Sequence, residues 1–246
     1  TWQRNLFNSF FAGFLANGSE TRKYLESIGV PSDRIHIGGM SADAGFLRKG
    51  IDSMMENEKR SLKSKYVPDG KGLLYLFVGQ IAERKGIRYL LEAWQKHIIT
   101  NPLDVLLLVG YGNQFKEFRN NFGSNNTIIF TGRVGYDDIY KYYAIADVFV
   151  LPTIEDNWSL VIPEAMACGL PVATSIYNGC HPELVKKGVN GITFDTFKEE
   201  SIVEALDYFH HQDLKRMGQK SVEIERIYNT EHCAYRVYET IIVGNH

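Results

Sequence analysis

A chain of 246 residues, 44% hydrophobic and 23% charged, has the balance of an ordinary folded protein. That length allows one large domain, or one domain plus a piece of another. A formal net charge of −2 excludes a general attraction to nucleic acid or to an anionic membrane surface. No apolar run approaches the ~20 residues that a membrane-spanning helix needs. Thr1 to Arg4 carries no secretory signal, and the missing initiator Met implies that Thr1 is not the natural start. Cys168, Cys180 and Cys233 lack metal-ligand spacing and cannot all pair, which fits a reducing compartment. The seven histidines form no ligand array in sequence, so no metal is expected.

The N-terminal stretch reads as a strand over 11–16, a helix over 20–27 and a strand over 34–37. Residues 1–40 are too few for a core of their own and are expected to be the tail of a preceding domain. Phe7, Phe10, Phe11 and Phe14 are expected to be exposed if a covering segment has been removed. The polar run 56–65, followed by Pro68-Asp-Gly70, is expected to separate this tail from the main domain.

From residue 73 onward apolar runs alternate with amphipathic stretches. Strands are expected over 73–78, 105–109, 127–131, 148–151, 171–175 and 191–194. Helices are expected over 87–99, 114–122, 137–146, 160–167, 199–209, 213–227 and 230–242. Asn101-Pro102 ends the first of these helices, and Gly169 supplies a left-handed C-terminal cap to 160–167. Strands this apolar, separated by helices, predict an α/β fold with a Rossmann-like, doubly wound parallel sheet. Ligands of such sheets sit at the C-terminal ends of strands, and the glycine- and charge-bearing motifs all fall there.

The most informative motif is Asp156-Asn-Trp-Ser-Leu-Val-Ile-Pro-Glu164. Pro163 is tolerated only in the first helical turn, so the helix begins just before it. The amides of Trp158, Ser159, Leu160 and Val161 then lie near the helix start, several without internal partners, where they can bind a diphosphate. Glu164 sits among Ile162, Ala165 and Met166, where a carboxylate is costly unless hydrogen-bonded. A ribose diol would satisfy it; the alternative is a surface pair with a lysine. Of the adjacent Glu155 and Asp156, one is expected to point into the cleft.

Arg84 and Lys85 precede a helix whose dipole disfavours cations by a few tenths of a kcal/mol. A bound phosphate reverses that cost; otherwise both are solvated beside Glu83. Gly110 and Gly112 either form a plain turn or allow close backbone approach to a ligand. In Thr131-Gly-Arg-Val134, Gly132 either lets a flat base lie against the loop or ends the strand. Cys168 reads as a small core residue, and Asn157-Trp158-Ser159 lacks the glycine elbow of a serine hydrolase.

From about residue 73 to 205 the chain resembles the C-terminal, donor-binding domain of group 1 glycosyltransferases of the GT-B fold. The resemblance rests on Val78-Gly79 with Lys85-Gly86, Val109-Gly-Tyr-Gly112, Phe130-Thr-Gly132, Ala146-Asp147-Val-Phe-Val-Leu-Pro152, Glu164-Ala-Met-Ala-Cys-Gly-Leu-Pro-Val172 and Gly188-Val-Asn-Gly191. It implies a retaining transferase of hexosyl type, metal-independent and without a cofactor. Sugar would move from a nucleotide-diphosphate sugar to an acceptor hydroxyl in polysaccharide or glycoconjugate synthesis. The family's two signature glutamates map to Asp156 and Glu164, implying sugar contact for the first and ribose contact for the second. Lys85 matches the phosphate-binding lysine. The expected arginine is Gln80 here, with Arg84 as a displaced substitute.

The resemblance also divides the chain. Residues 1–40 would be the end of the N-terminal acceptor domain and linker, 41–228 the nucleotide-sugar domain, and 229–246 a helix packing back on the acceptor domain. That missing domain would bind a carbohydrate or lipid-linked acceptor, leaving this chain inactive or weakly active by itself. The whole enzyme is expected in the cytoplasm or at the inner face of the membrane, with peripheral association as an open alternative. The competing readings are a donor-binding module without activity and a nucleotide-sugar epimerase.

Overall fold

The computed structural model describes residues 10–68 and 70–243. Its main sheet has six parallel strands: β3 (Leu74–Val78), β4 (Val105–Val109), β5 (Ile128–Gly132), β6 (Val148–Leu151), β7 (Val172–Ser175) and β8 (Gly191–Phe194), in the order β5-β4-β3-β6-β7-β8. The earliest of these strands is therefore central, and the order reverses between β3 and β6, the place where doubly wound sheets open a ligand crevice. β4 and β6 are buried along their whole length and β3 nearly so, which explains their continuous apolar sequences; β7 is equally buried but carries Thr174 and Ser175.

Helices α4 (Ile87–Thr100) and α9 (Glu199–Asp207) pack together. A second group joins α2 (Ala44–Ser53), α3 (Glu56–Lys63), α6 (Tyr140–Ile145), α7 (Val161–Ala167) and α10 (Leu214–Glu225). α5 (Phe115–Phe122) packs on β5, and α8 (His181–Leu184) on α10. The core includes Tyr75, whose ring meets Trp94 edge-on at 5.3 Å and whose hydroxyl donates to Leu206 O at 2.7 Å. A buried phenol without that acceptor would be costly. Two aspartates fix the start of β3: Leu73 N donates to Asp104 Oδ1 and Leu74 N to Asp147 Oδ2, each at 2.8 Å.

The run 56–65 is not a separator. It folds as α3, Lys63 Nζ lies 2.5 Å from Asp147 Oδ1, and Leu62 packs against the core. Glu58 Oε2 accepts Met55 N at 2.8 Å, so good helix formers are joined by an N-terminal cap. α2 was also unforeseen; Asp43 caps it through Phe46 N at 3.4 Å. Region 137–146 starts as a single 3₁₀ turn, Tyr136–Asp138, before α6. Gly169 takes the left-handed cap with φ +79°, and Leu170 N reaches back to Ala165 O at 3.1 Å.

The N-terminal β1 (Phe14–Ala16), α1 (Ser19–Ser27) and β2 (Ile35–Ile37) form a small parallel unit around Ala16, Val30 and Ile35. It is tied to the main body by Ser19 N donating to Glu183 Oε1 at 2.6 Å and Trp158 Nε1 to Met40 O at 3.1 Å. α11 (Thr230–Val243) meets the same region, with Arg236 Nη1 donating to Gly38 O at 3.5 Å and a 2.9 Å hydroxyl contact between Ser41 and Thr230. Phe10 and Phe11 are exposed and Phe14 half-buried, whereas Phe7 lies outside the described residues.

Glu225 is fully buried on α10, with Arg48 Nη2 3.3 Å from Oε2 and no partner for Oε1 among the described residues. Burial raises its carboxyl above the ordinary 4.5, against the pull of Arg48 and Arg226. A carboxyl raised on folding holds its proton longer in the native state. Its stabilisation is thus present below the unfolded pKa and lost as pH rises through the folded one. Glu225→Gln should therefore gain stability relative to wild type as pH rises above 4.5, read as the difference in thermal midpoint at each pH; parallel profiles would count against this.

Candidate active site

Loops after β3, β4, β5 and β6 gather at the C-terminal end of the sheet. Between them opens a cavity of about 270 Å³ walled by Val78, Gly79, Gly110, Val134 and Ile139, with Glu164 reaching it from α7. Arg133 and Tyr136 also line it and are exposed, and Tyr136 stacks on Phe46 at 4.9 Å. Among the described residues Glu164 has no lysine partner: Tyr143 Oη donates to its Oε2 at 2.8 Å. Burial raises the Glu164 carboxyl and the Tyr143 hydrogen bond lowers it, with burial winning. The Tyr143 phenol, wholly buried, is pushed well above its ordinary value. The result is a carboxylate held in one orientation at the edge of an apolar pocket.

Asp156 lies beyond, on the turn after β6. Lys85 Nζ is 2.5 Å from its Oδ2, and both side chains are largely buried. Trp158 N donates to Oδ1 at 3.2 Å. Burial alone would raise the Asp156 carboxyl, but Lys85, the nearby Ser159 hydroxyl and the Trp158 amide outweigh it and hold it below the usual range. Arg84 Nη1 stands 4.0 Å from the same oxygen, with an exposed side chain. Lys85 belongs to a 3₁₀ turn, Glu83–Lys85, closed by Gly86, and is not the solvated cation of the alternative reading. Asp156 and the exposed Glu155 both border a wider, open groove with Asn157, Ile176 and Tyr177, but only Asp156 pairs with Lys85.

Several sequence expectations change in detail. α7 starts at Val161, one residue later than expected. Of the four amides, Trp158 N is used by Asp156 and Ser159 N faces the Cys180 sulfur. Leu160 N and Val161 N have no acceptor among the described residues. The Trp158 ring is buried toward Met40 and Tyr228, so it positions the N-terminal unit and does not line the cavity. A Cβ on Gly110 would lie 1.8 Å from Gly79 O, and one on Gly112 2.2 Å from Ile81 O. Their closest approach is therefore to the neighbouring loop, although Gly110 also walls the cavity. Gly132, φ +78°, ends β5, its carbonyl accepting Gly110 N at 3.0 Å. Gln80 is exposed and has no side-chain hydrogen bond among the described residues. Tyr143, Arg133 and Tyr136 were missed: nothing in the sequence links Tyr143 to a carboxylate 21 positions later.

A parallel sheet in this order, with a carboxylate-edged cavity at its switch point, defines an α/β nucleotide-binding domain. Residues 54–223 match the family model of the glycosyl transferases group 1, and the chain belongs to that family. It is 34% identical over 137 residues to an uncharacterized glycosyltransferase of Methanocaldococcus jannaschii, covering 54% of this chain and 35% of that protein. It is 29% identical over 227 residues to a sulfoquinovosyl transferase of Arabidopsis thaliana, covering 88% of this chain and 42% of the relative. The chain thus spans half or less of the length of these curated relatives. A glycosyltransferase crystal structure from Rickettsia africae superposes with a TM-score of 0.80 at 18% identity, covering 97% of this chain and 66% of the other. An Anabaena protein in complex with UDP gives a TM-score of 0.81 at 18% identity, with the same coverage. The fold is accordingly that of the GT-B glycosyltransferases. Among the described residues no helix is long and apolar enough to cross a membrane.

Proposed function

We propose that this chain is the donor-binding part of a retaining glycosyltransferase that transfers a sugar from a nucleoside-diphosphate sugar to an acceptor hydroxyl in glycoconjugate or polysaccharide synthesis. The observation that carries the reading is Glu164, oriented by Tyr143 at the edge of the apolar cavity. A base fits against Val134 and Ile139, and a ribose diol donates to the carboxylate. Lys85 and the free amides of Leu160 and Val161 face the diphosphate, and Asp156 orients the sugar. Charge that develops on the leaving diphosphate is then met by a fixed ammonium, which supplies transition-state stabilisation. Related structures were crystallised with UDP and with UDP-glucose, which supports a nucleotide sugar as ligand. The described part of residues 1–40 and helix α11, which touch each other, would form the seam with an acceptor-binding domain. The three free cysteines fit a reducing, cytoplasmic setting.

Glu164→Ala should weaken UDP binding about 10- to 100-fold, the worth of one or two hydrogen bonds to a charged group. Calorimetry on this chain measures it; unchanged affinity would remove Glu164 from the site. A second reading, a donor-binding module without turnover, is favoured by the neutral Gln80 and by the engagement of Lys85 with Asp156. Sugar transfer by the whole protein would count against it. Change of the donor sugar without any acceptor would instead indicate an epimerase.

A further inference from the structure

Near the N-terminal ends of β3 and β4, at the end of the sheet opposite the donor loops, three side chains from separate elements converge. His97 comes from the last turn of α4, Asp104 from the turn before β4, and His210 from the 3₁₀ turn Tyr208–His211 after α9. His97 Nε2 lies 2.9 Å and His210 Nε2 2.7 Å from the same Asp104 Oδ2, and the three atoms lie within 4.8 Å of one another. We propose that His97, Asp104 and His210 bind a divalent transition metal of the zinc type, which staples α4 to the turn after α9.

The donor set comes first. Two imidazole nitrogens and one carboxylate oxygen suit zinc, which completes a tetrahedron with water when the protein supplies three ligands. Bonds of ~2.0–2.1 Å place tetrahedral ligands about 3.3 Å apart. The two nitrogens need only draw back from Asp104 Oδ2 by roughly half an ångström to admit the ion. His210 is exposed, so an ion has a way in and a water has room at the fourth position.

A second observation, independent of the first, is the outer shell. His97 Nδ1 meets Asp207 Oδ1 at 2.6 Å, and that carboxylate also accepts from Asn101 Nδ2 at 2.8 Å. Asp104 is oriented through its other oxygen, which accepts Leu73 N at 2.8 Å. A ligating histidine whose other nitrogen is held by a carboxylate is the usual support of a zinc site.

A third is the position of His97 itself. It is fully buried, and both its ring nitrogens face carboxylate oxygens. A neutral imidazole carries one N–H and can donate to only one of them. Metal on Nε2 takes the place of the second proton and leaves the Nδ1 donation to Asp207 intact. Binding therefore releases protons from whichever imidazoles carry them. None of these residues borders the cavity or the groove of the donor site.

The test uses the chain freed of metal with a chelator and titrated with Zn²⁺ by calorimetry. One Zn²⁺ per chain is expected, with a thermal midpoint raised by about 5–10 °C at a hundredfold excess over Kd. Co²⁺ should give the visible bands of a four-coordinate site and quench Trp94, whose ring lies 4.9 Å from that of His97. His210→Ala should abolish stoichiometric uptake; because Asp104 Oδ2 keeps His97 Nε2 at 2.9 Å, the metal-free midpoint should fall by no more than about 5 °C. His211→Ala, beside it in sequence, should bind as wild type. Substoichiometric Zn²⁺, or uptake unaffected by His210→Ala, overturns the assignment. UDP binding should be the same in wild type and His210→Ala, which keeps this result separate from the donor site.

Discussion

Replacing Lys85 with Met in the whole protein should lower the rate of sugar transfer by about 10²- to 10³-fold, the usual effect of removing one donor aimed at developing charge. The same change should destabilise this chain by about 3 kcal/mol, because it strands Asp156 largely buried beside no nearer cation than Arg84 at 4.0 Å. The two effects separate in a double-mutant cycle. Lys85→Met with Asp156→Asn removes both charges and should recover most of the stability, since replacing both members of a buried pair is close to neutral. Transfer should stay low in the double variant. Recovery of transfer together with stability would mean that Lys85 serves the fold and not the diphosphate.

Gly110→Ala should cost about 3–5 kcal/mol in urea unfolding, the range of severe overpacking and backbone strain. Gly110 has φ +143°, and an added Cβ would stand 1.8 Å from Gly79 O. That contact is backbone against backbone, so no rotamer change relieves it. The loops after β3 and β4 would have to part, opening the cavity wall they share. Gly135 is the control: its Cβ would meet nothing within 4 Å, and Gly135→Ala should stay within about 0.5 kcal/mol of wild type. Similar losses at both positions would show that the close approach at Gly110 is relieved elsewhere.

The sheet was legible in the sequence because its central strands are uninterrupted apolar runs between turn residues, as in Val105–Val109 and Val148–Leu151. Pro163 and Gly169 marked the two ends of α7 through fixed backbone preferences, to within a residue. Glu164 was legible as a carboxylate in an apolar setting that needs a partner. The partner was not legible, because Tyr143 reaches it only through the packing of α6 against its neighbours. The direction of Lys85 was hidden for the same reason, since a charged residue in a turn looks solvated until Asp156 folds against it. α3 was obscured by composition: its one inward apolar residue, Leu62, gives little periodicity, and its hold on the core runs through Lys63 and Asp147. His97, Asp104 and His210 lie on three elements and meet only in the fold, which is why spacing rules over the histidines found nothing.

The order β5-β4-β3-β6-β7-β8 also bears on how the chain reaches its native state. β3 can pair with β4 and β4 with β5 across single helical crossovers, so that half can assemble as it emerges from synthesis. β6 must return to the far side of β3, pairing Tyr75 with Val148, and only then do β7 and β8 have an edge to extend. Such distant parallel pairing is intrinsically slow. Until it forms, the β6-facing edge of β3, among the most apolar segments of the chain, stays open. Folding should therefore pass through a half-sheet intermediate whose exposed edge is its main route to aggregation.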